Sequence, residues 1–228
     1  TIDPPGSVHT VVAGIQGTVI YGSSVNTQGV TTSFIRDLSG PGFTPNSYVQ
    51  IAQSGASSTQ ILGSTGVDSY YGNYIDAKGV SHGFIYSASA NSFVNIDVPN
   101  GSNTKIFGLD AATGKLLGAY TNGGDERGFI ATLTPSGQGV SASFSTYSIP
   151  ALSPSPSLFG LSSNGVLSGN YFDQSGAHGF VSANNAVTSI NYPGIDPSTV
   201  NTVILGANSA GNIVGGYKSF SSTDYLAP

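Results

Sequence analysis

Short apolar runs separated by Gly-, Ser-, Asn- and Asp-rich turns follow one another along the whole 228-residue chain. Each run is about four to seven residues long, with turn signals on both sides. That length predicts strands and excludes helices of ordinary size. The pattern also recurs. Its clearest copies are Gly72-Asn-Tyr-Ile-Asp-Ala-Lys-Gly-Val-Ser-His-Gly-Phe84 and Gly169-Asn-Tyr-Phe-Asp-Gln-Ser-Gly-Ala-His-Gly-Phe180, and diverged copies start at Gly22, Gly118 and Gly215. These glycines lie 50, 46, 51 and 46 residues apart, a period that marks propellers and solenoids.

Within a copy the order is constant. An apolar strand bearing glycine, such as Val166-Leu-Ser-Gly-Asn-Tyr171, leads into a polar turn, Asp76-Ala-Lys-Gly79 or Asp173-Gln-Ser-Gly176. A second strand follows, His82-Gly-Phe-Ile-Tyr86 or His178-Gly-Phe-Val181. A third spans Phe93–Val98, Phe144–Ile149 or Val187–Tyr192 and reaches Pro99, Pro150 or Pro193. A fourth carries an apolar step ending at Gly63, Gly108, Gly160 or Gly206. In the turns, Asp accepts hydrogen bonds from its own loop and Gly takes the left-handed position. Four antiparallel strands per repeat predict one propeller blade.

The ends extend this reading. Thr1-Ile-Asp-Pro-Pro-Gly6 matches the close of a third strand, Asn95-Ile-Asp-Val-Pro-Asn100, and Asp224-Tyr-Leu-Ala-Pro228 falls where a second strand belongs. The expectation is an all-β chain forming one domain over residues 1–228. It is a five-bladed β-propeller built from five repeats of 46–51 residues. Pairing of the N- and C-terminal half-blades closes the ring and leaves no open sheet edge.

Composition narrows the function classes. Charged residues are 7% of the chain and the net charge is −5, against roughly 25% charged residues in an average soluble domain. The six basic residues are scattered, so no cationic stripe supports a nucleic-acid role. Cys, Met and Trp are absent, which excludes disulfides and thiolate metal sites and leaves a core that resists oxidation. No segment approaches the ~18 consecutive apolar residues of a membrane-spanning helix. A hydroxyl- and amide-rich surface of this kind points to an extracellular or cell-surface location.

The pattern Gly-x-Tyr-x-Asp-x-x-Gly-x-x-His-Gly-Phe, followed by an Ile-Asp-x-Pro step, resembles the HAF-type family of extracellular repeats of exported bacterial proteins. The resemblance covers nearly the whole chain. It is carried by Tyr74, Asp76, Gly79, His82, Gly83 and Phe84, and again by Tyr171, Asp173, Gly176, His178, Gly179 and Phe180. It implies export and a repeat fold and brings no established chemistry. The other copies depart from it: Ser24 stands for the Tyr, Thr32-Ser33 for the first His-Gly pair and Arg127 for the third His, and the last copy lacks the pair. These departures argue against one ligand site per blade.

Candidate chemistry is sparse. His82 and His178 could serve as metal ligands or acid–base groups, but their recurrence within the motif favours a hydrogen-bonding role inside the blade. Tyr74, Tyr120, Tyr171 and Tyr217 share one repeat position; they pack between blades or present aromatic platforms to sugar rings. Asp125, Glu126 and Arg127 form the one dense charge cluster, and Glu126 is the chain's single glutamate. It reads as a solvated turn or as a glycosidase acid paired with a carboxylate from another blade. No cofactor is expected: no metal-ligand spacing occurs, calcium would have to come from turn aspartates without a supporting motif, and no Gly-x-Ser-x-Gly elbow signals a serine hydrolase. The functional expectation is a secreted, non-catalytic propeller that binds glycans or another extracellular polymer, or assembles at the cell surface. The alternatives are a polysaccharide hydrolase or lyase, and a structural subunit of an extracellular filament or coat joined by strand exchange between molecules.

Overall fold

The computed structural model of the chain describes residues 2–39, 48–110, 113–136, 139–147, 156–161, 166–174, 176–183, 186–193, 200–207 and 212–219. Thr1, Pro150, Asp196 and the Asp224–Pro228 segment lie outside the described residues. Among those described there are eighteen strands and no helix, so the chain is all-β. No helix among them is long and apolar enough to cross a membrane.

The strands follow the repeats. The first contributes β1 (Ser7–Gln16), β2 (Val19–Asn26), β3 (Thr31–Asp37) and β4 (Tyr48–Ile51). The second contributes β5 (Ser58–Gly66), β6 (Ser69–Ile75), β7 (Ser81–Ser87) and β8 (Ser92–Asn95). The third gives β9 (Ser102–Asp110), β10 (Lys115–Asn122), β11 (Asp125–Ser136) and β12 (Gly139–Tyr147). The fourth gives β13 (Ser157–Leu161), β14 (Leu167–Asp173), β15 (Gly176–Ala183) and β16 (Ala186–Ile190), and the last shows β17 (Val200–Ala207) and β18 (Ile213–Ser219). β1–β8 form one eight-stranded sheet, in which a single parallel bridge between Thr31 and Ser58 joins β3 to β5. β9–β12 and β13–β16 form four-stranded sheets in chain order, and β17 pairs with β18. Residues 2–6, expected to close a third strand, are not in a strand.

The chain divides into two compact units, one of Thr1–Ile106 with Thr134–Ala142, the other of Phe107–Leu133 with Ser143–Pro228. In the first, Tyr21, Ile51, Ile61, Tyr70, Phe84 and Tyr86 form a core cluster. In the second, Leu117, Ile130, Leu158, Leu167, Tyr171 and Phe180 do so. The motif phenylalanines Phe34 and Phe84 of the first unit, and Phe129 and Phe180 of the second, are each fully buried.

Two devices recur where one repeat meets the next inside a unit. The first is steric. A Cβ on Gly83 would lie 2.9 Å from Ile106 Cδ1. Leu158 fills the same space over Gly128, and Ile204 over Gly179. The motif glycine is therefore the socket for the apolar residue of the following repeat. The second is a side-chain amide that pairs with backbone as a strand would. Asn73 donates from Nδ2 to the Ile106 carbonyl and accepts from the Ile106 amide, both at 2.8 Å. Asn170 does the same with Ile204, at 3.1 and 2.7 Å. In the first repeat Ser33 takes over, accepting from Ile61 N (2.7 Å) and donating to Thr59 O (3.1 Å).

Turn chemistry matches the sequence. Asp76 Oδ1 accepts from the Lys78 and Val80 amides, each at 2.8 Å, and Gly79 has φ +82°. Asn26 does the same for Gln28 and Val30 ahead of Gly29. The third strands are shorter than the sequence suggests: β8 stops at Asn95 and β16 at Ile190. Ile96 N still donates to Gly83 O at 2.8 Å, and the residue before each proline turns to another partner. Val98 N donates to Thr104 Oγ1 (3.2 Å) and Tyr192 N to Thr202 Oγ1 (3.1 Å), which replaces the ladder just before each proline.

Candidate functional site

The cross-strand register decides what the motif histidines do. Tyr74 on β6 pairs with His82 on β7, Tyr171 on β14 with His178 on β15, and Tyr120 on β10 with Arg127 on β11. Tyr74 stacks on His82 at a centroid distance of 4.8 Å and Tyr171 lies against His178 at 5.0 Å. Each imidazole then joins the Asp turn to the end of the third strand. His82 Nε2 lies 3.6 Å from Asp76 Oδ2, and its Nδ1 lies 2.9 Å from Asp97 Oδ2. His178 meets Asp173 Oδ1 at 3.0 Å and Asn191 Oδ1 at 2.9 Å. Three of the four ring nitrogens lie within hydrogen-bonding distance of an acceptor of their own repeat, an arrangement suited to bracing. Among the described residues no three His, Cys, Asp or Glu side chains are placed to hold a metal ion.

Asp76 allows a test of this brace. Its carboxyl is held below the ordinary aspartate range, first by the Val80 amide, with Lys78 and His82 adding to the effect and desolvation opposing it. A folded-state value below the unfolded one means that the stabilisation is complete above the ordinary range and is lost as pH falls through the lowered value. The gap in thermal midpoint between the natural protein and Asp76→Ala is therefore expected to narrow as the pH is taken down through that window. A gap that stays constant would contradict it.

The four repeat tyrosines differ in exposure. Tyr74, Tyr120 and Tyr171 are buried. The Tyr74 hydroxyl donates to Asn95 Oδ1 (3.2 Å), and Tyr171 shares a 2.6 Å bond with Ser189 Oγ. Burial, reinforced by Asp97 and Asp76, pushes the Tyr74 phenol above its usual range. Tyr217 on β18 is 50% exposed. It stacks on Tyr192, itself 39% exposed, at 3.7 Å between centroids and 21° between planes. A hydrogen bond with Tyr192 raises the Tyr217 phenol above its usual range. The pair borders an open groove of about 360 Å³ lined also by Pro193, Ile213, Gly215 and Gly216. A Cβ on Gly216 would meet nothing within 4 Å, so the backbone is open there, whereas Gly215 lies close against the Val203 carbonyl of β17. Tyr192 was not singled out in the sequence; its place just before Pro193, at the end of a third strand, is the signal that could have found it.

The charge cluster lies at a hairpin tip. Asn122 pairs with Asp125 across Gly123 and Gly124, whose φ angles of +63° and +95° suit a two-residue turn. Asp125 and Glu126 are exposed. Glu126 Oε1 accepts a hydrogen bond from Ser157 Oγ. Arg127 stands across from Tyr120, in the place that histidine fills in other repeats. The chain matches no protein-family model and no curated protein.

Proposed function

We propose that the chain is an extracellular, non-catalytic repeat protein of the HAF type that binds glycans at the groove beside Tyr192 and Tyr217. The observation that carries this reading is the exposed tyrosine stack on an apolar groove. Aromatic faces match the C–H faces of sugar rings, while phenol hydroxyls serve the rim. Among the described residues the lining supplies no Lys or Arg, which favours a neutral ligand over a phosphorylated one. On a polysaccharide and glycan array, Tyr217→Ala is expected to weaken binding at least tenfold, while the fold is retained because the side chain is half exposed. Absence of binding by the natural protein, or full binding by Tyr217→Ala, would reject the reading.

For the architecture we propose the five-bladed propeller closed by its terminal half-blades. Support comes from the four-stranded repeats and the sockets between them. It also comes from β1, whose Val8, Val11, Val12 and Ile15 are exposed, whereas Ile61, Ile106, Leu158 and Ile204 are buried. Closure would cover these side chains. Small-angle scattering should give a compact ring with a concentration-independent monomer mass. A mass that doubles with concentration would instead assign the β1 face to self-assembly.

A further inference from the structure

The first unit holds a second recess, of about 340 Å³, between the β5–β6 hairpin, β7, β8 and the start of β12. Its rim is polar: Asp68, Ser69, Ser87, Ser89 and Ser92. Its apolar surface comes from Ile85, Val94 and Val140, with Val67 at the mouth. Among the described residues no cation lines it, and Asp68 would repel an anion. A single carboxylate is too few for a calcium site, which takes six to eight oxygen ligands. The volume lies at the small end of ligand pockets and suits one or two pyranose rings. Such a ligand has hydroxyls around its edge for serines and a carboxylate, and C–H faces for valine and isoleucine.

The rim is held in place. The Asp68 carbonyl accepts from Ala88 N at 2.8 Å. Ser87 Oγ accepts from Ala90 N at 3.3 Å, and Ser69 Oγ lies 2.7 Å from Thr65 Oγ1. Asp68 has φ +56°, in the left-handed region that glycine enters most freely and Asp tolerates better than most side chains. The tight β5–β6 turn thereby sets its carboxylate at the rim of the recess.

We infer that the Asp68–serine recess is a binding site for a neutral monosaccharide unit or similar polyol, with Asp68 accepting hydrogen bonds from adjacent ligand hydroxyls. The inference rests on the glycan reading for its ligand class but uses none of the residues of the Tyr217 groove. Saturation-transfer NMR with methyl α-glucoside, methyl β-galactoside, methyl α-mannoside and N-acetylglucosamine tests it. At least one is expected to bind the Tyr217→Ala variant, in which the groove no longer contributes, and to bind at least tenfold more weakly once Asp68→Gly is added. Asp68→Gly should melt no lower than the natural protein, since glycine enters the left-handed region most freely; Asp68→Asn, which keeps the shape and loses the charge, should also weaken binding. Equal binding once Asp68→Gly is added, or no binding of any of the four sugars to Tyr217→Ala, overturns the proposal. If polysaccharide binding that depends on Tyr217 survives either result, the recess alone is refuted; if no glycan of any size binds, both readings fall.

Discussion

Replacing Asn170 by alanine is expected to cost about 2–5 kcal/mol, because it strands two buried backbone groups at once. The side chain is 4% exposed. Its amide donates to Ile204 O and its carbonyl accepts from Ile204 N, so its loss removes both of these partners from Ile204. Each unsatisfied buried group costs about 1–3 kcal/mol, a large share of the roughly 5–15 kcal/mol that holds a typical domain together. Asn170→Asp sharpens the test. It keeps the acceptor for Ile204 N but loses the donor and sets a carboxylate oxygen against the Ile204 carbonyl, so it should be no better than alanine. Urea denaturation followed by far-UV circular dichroism would read both. A loss under 1 kcal/mol for Asn170→Ala would show that the clamp is ornamental.

Gly169→Ala is expected to be as damaging, through overpacking rather than lost bonding. A Cβ there would run into the Ser157 carbonyl oxygen of the neighbouring strand and lie 2.9 Å from Phe180 Cε1. Phe180 is fully buried, and the carbonyl belongs to a strand fixed in the sheet, so neither can yield cheaply. Overpacking of this kind costs about 1–3 kcal/mol and sometimes more. Gly72→Ala should behave alike, since its Cβ would meet the Gln60 carbonyl and the Phe84 ring. Gly66 is the internal control: a Cβ there meets nothing within 4 Å, and Gly66→Ala should change stability by no more than about 0.5 kcal/mol. If the three alanine variants unfold at the same urea concentration, the close approach does not matter.

The all-β class, the strand order within a repeat and the Asp-x-x-Gly turns were legible because each depends on neighbours in sequence. Asp76 and Gly79 lie in one loop, and their roles follow from local geometry. The Asn clamps were not legible. Asn170 bonds to a residue 34 positions away, and its counterparts in other copies are Ser23, Ala119 and Gly216, so the repeat gives no uniform signal. The tyrosines show the same limit from another side. Tyr171 and Tyr217 occupy one motif position, yet a histidine covers the first while the second meets Tyr192 in the open. Exposure depends on what the rest of the fold lays over a side chain, which a motif does not encode. The serine recess was invisible for a simpler reason: its rim comes from a hairpin and two further segments that no spacing rule connects.

The exchange of Asn73 for Ser33 has a consequence for engineering. Both side chains bind an incoming backbone, but Asn73 does so from the glycine-bearing strand of its repeat, β6, and Ser33 from β3, the strand that follows the glycine-bearing one in its repeat. Ser33 also occupies the position that Gly83, Gly128 and Gly179 keep empty for the next repeat's apolar residue. Ile61 is received by a serine hydroxyl, whereas Ile106 and Ile204 are each received by a glycine socket and an asparagine clamp. The second and fourth repeats present the same junction and should exchange with one another more readily than either exchanges with the first.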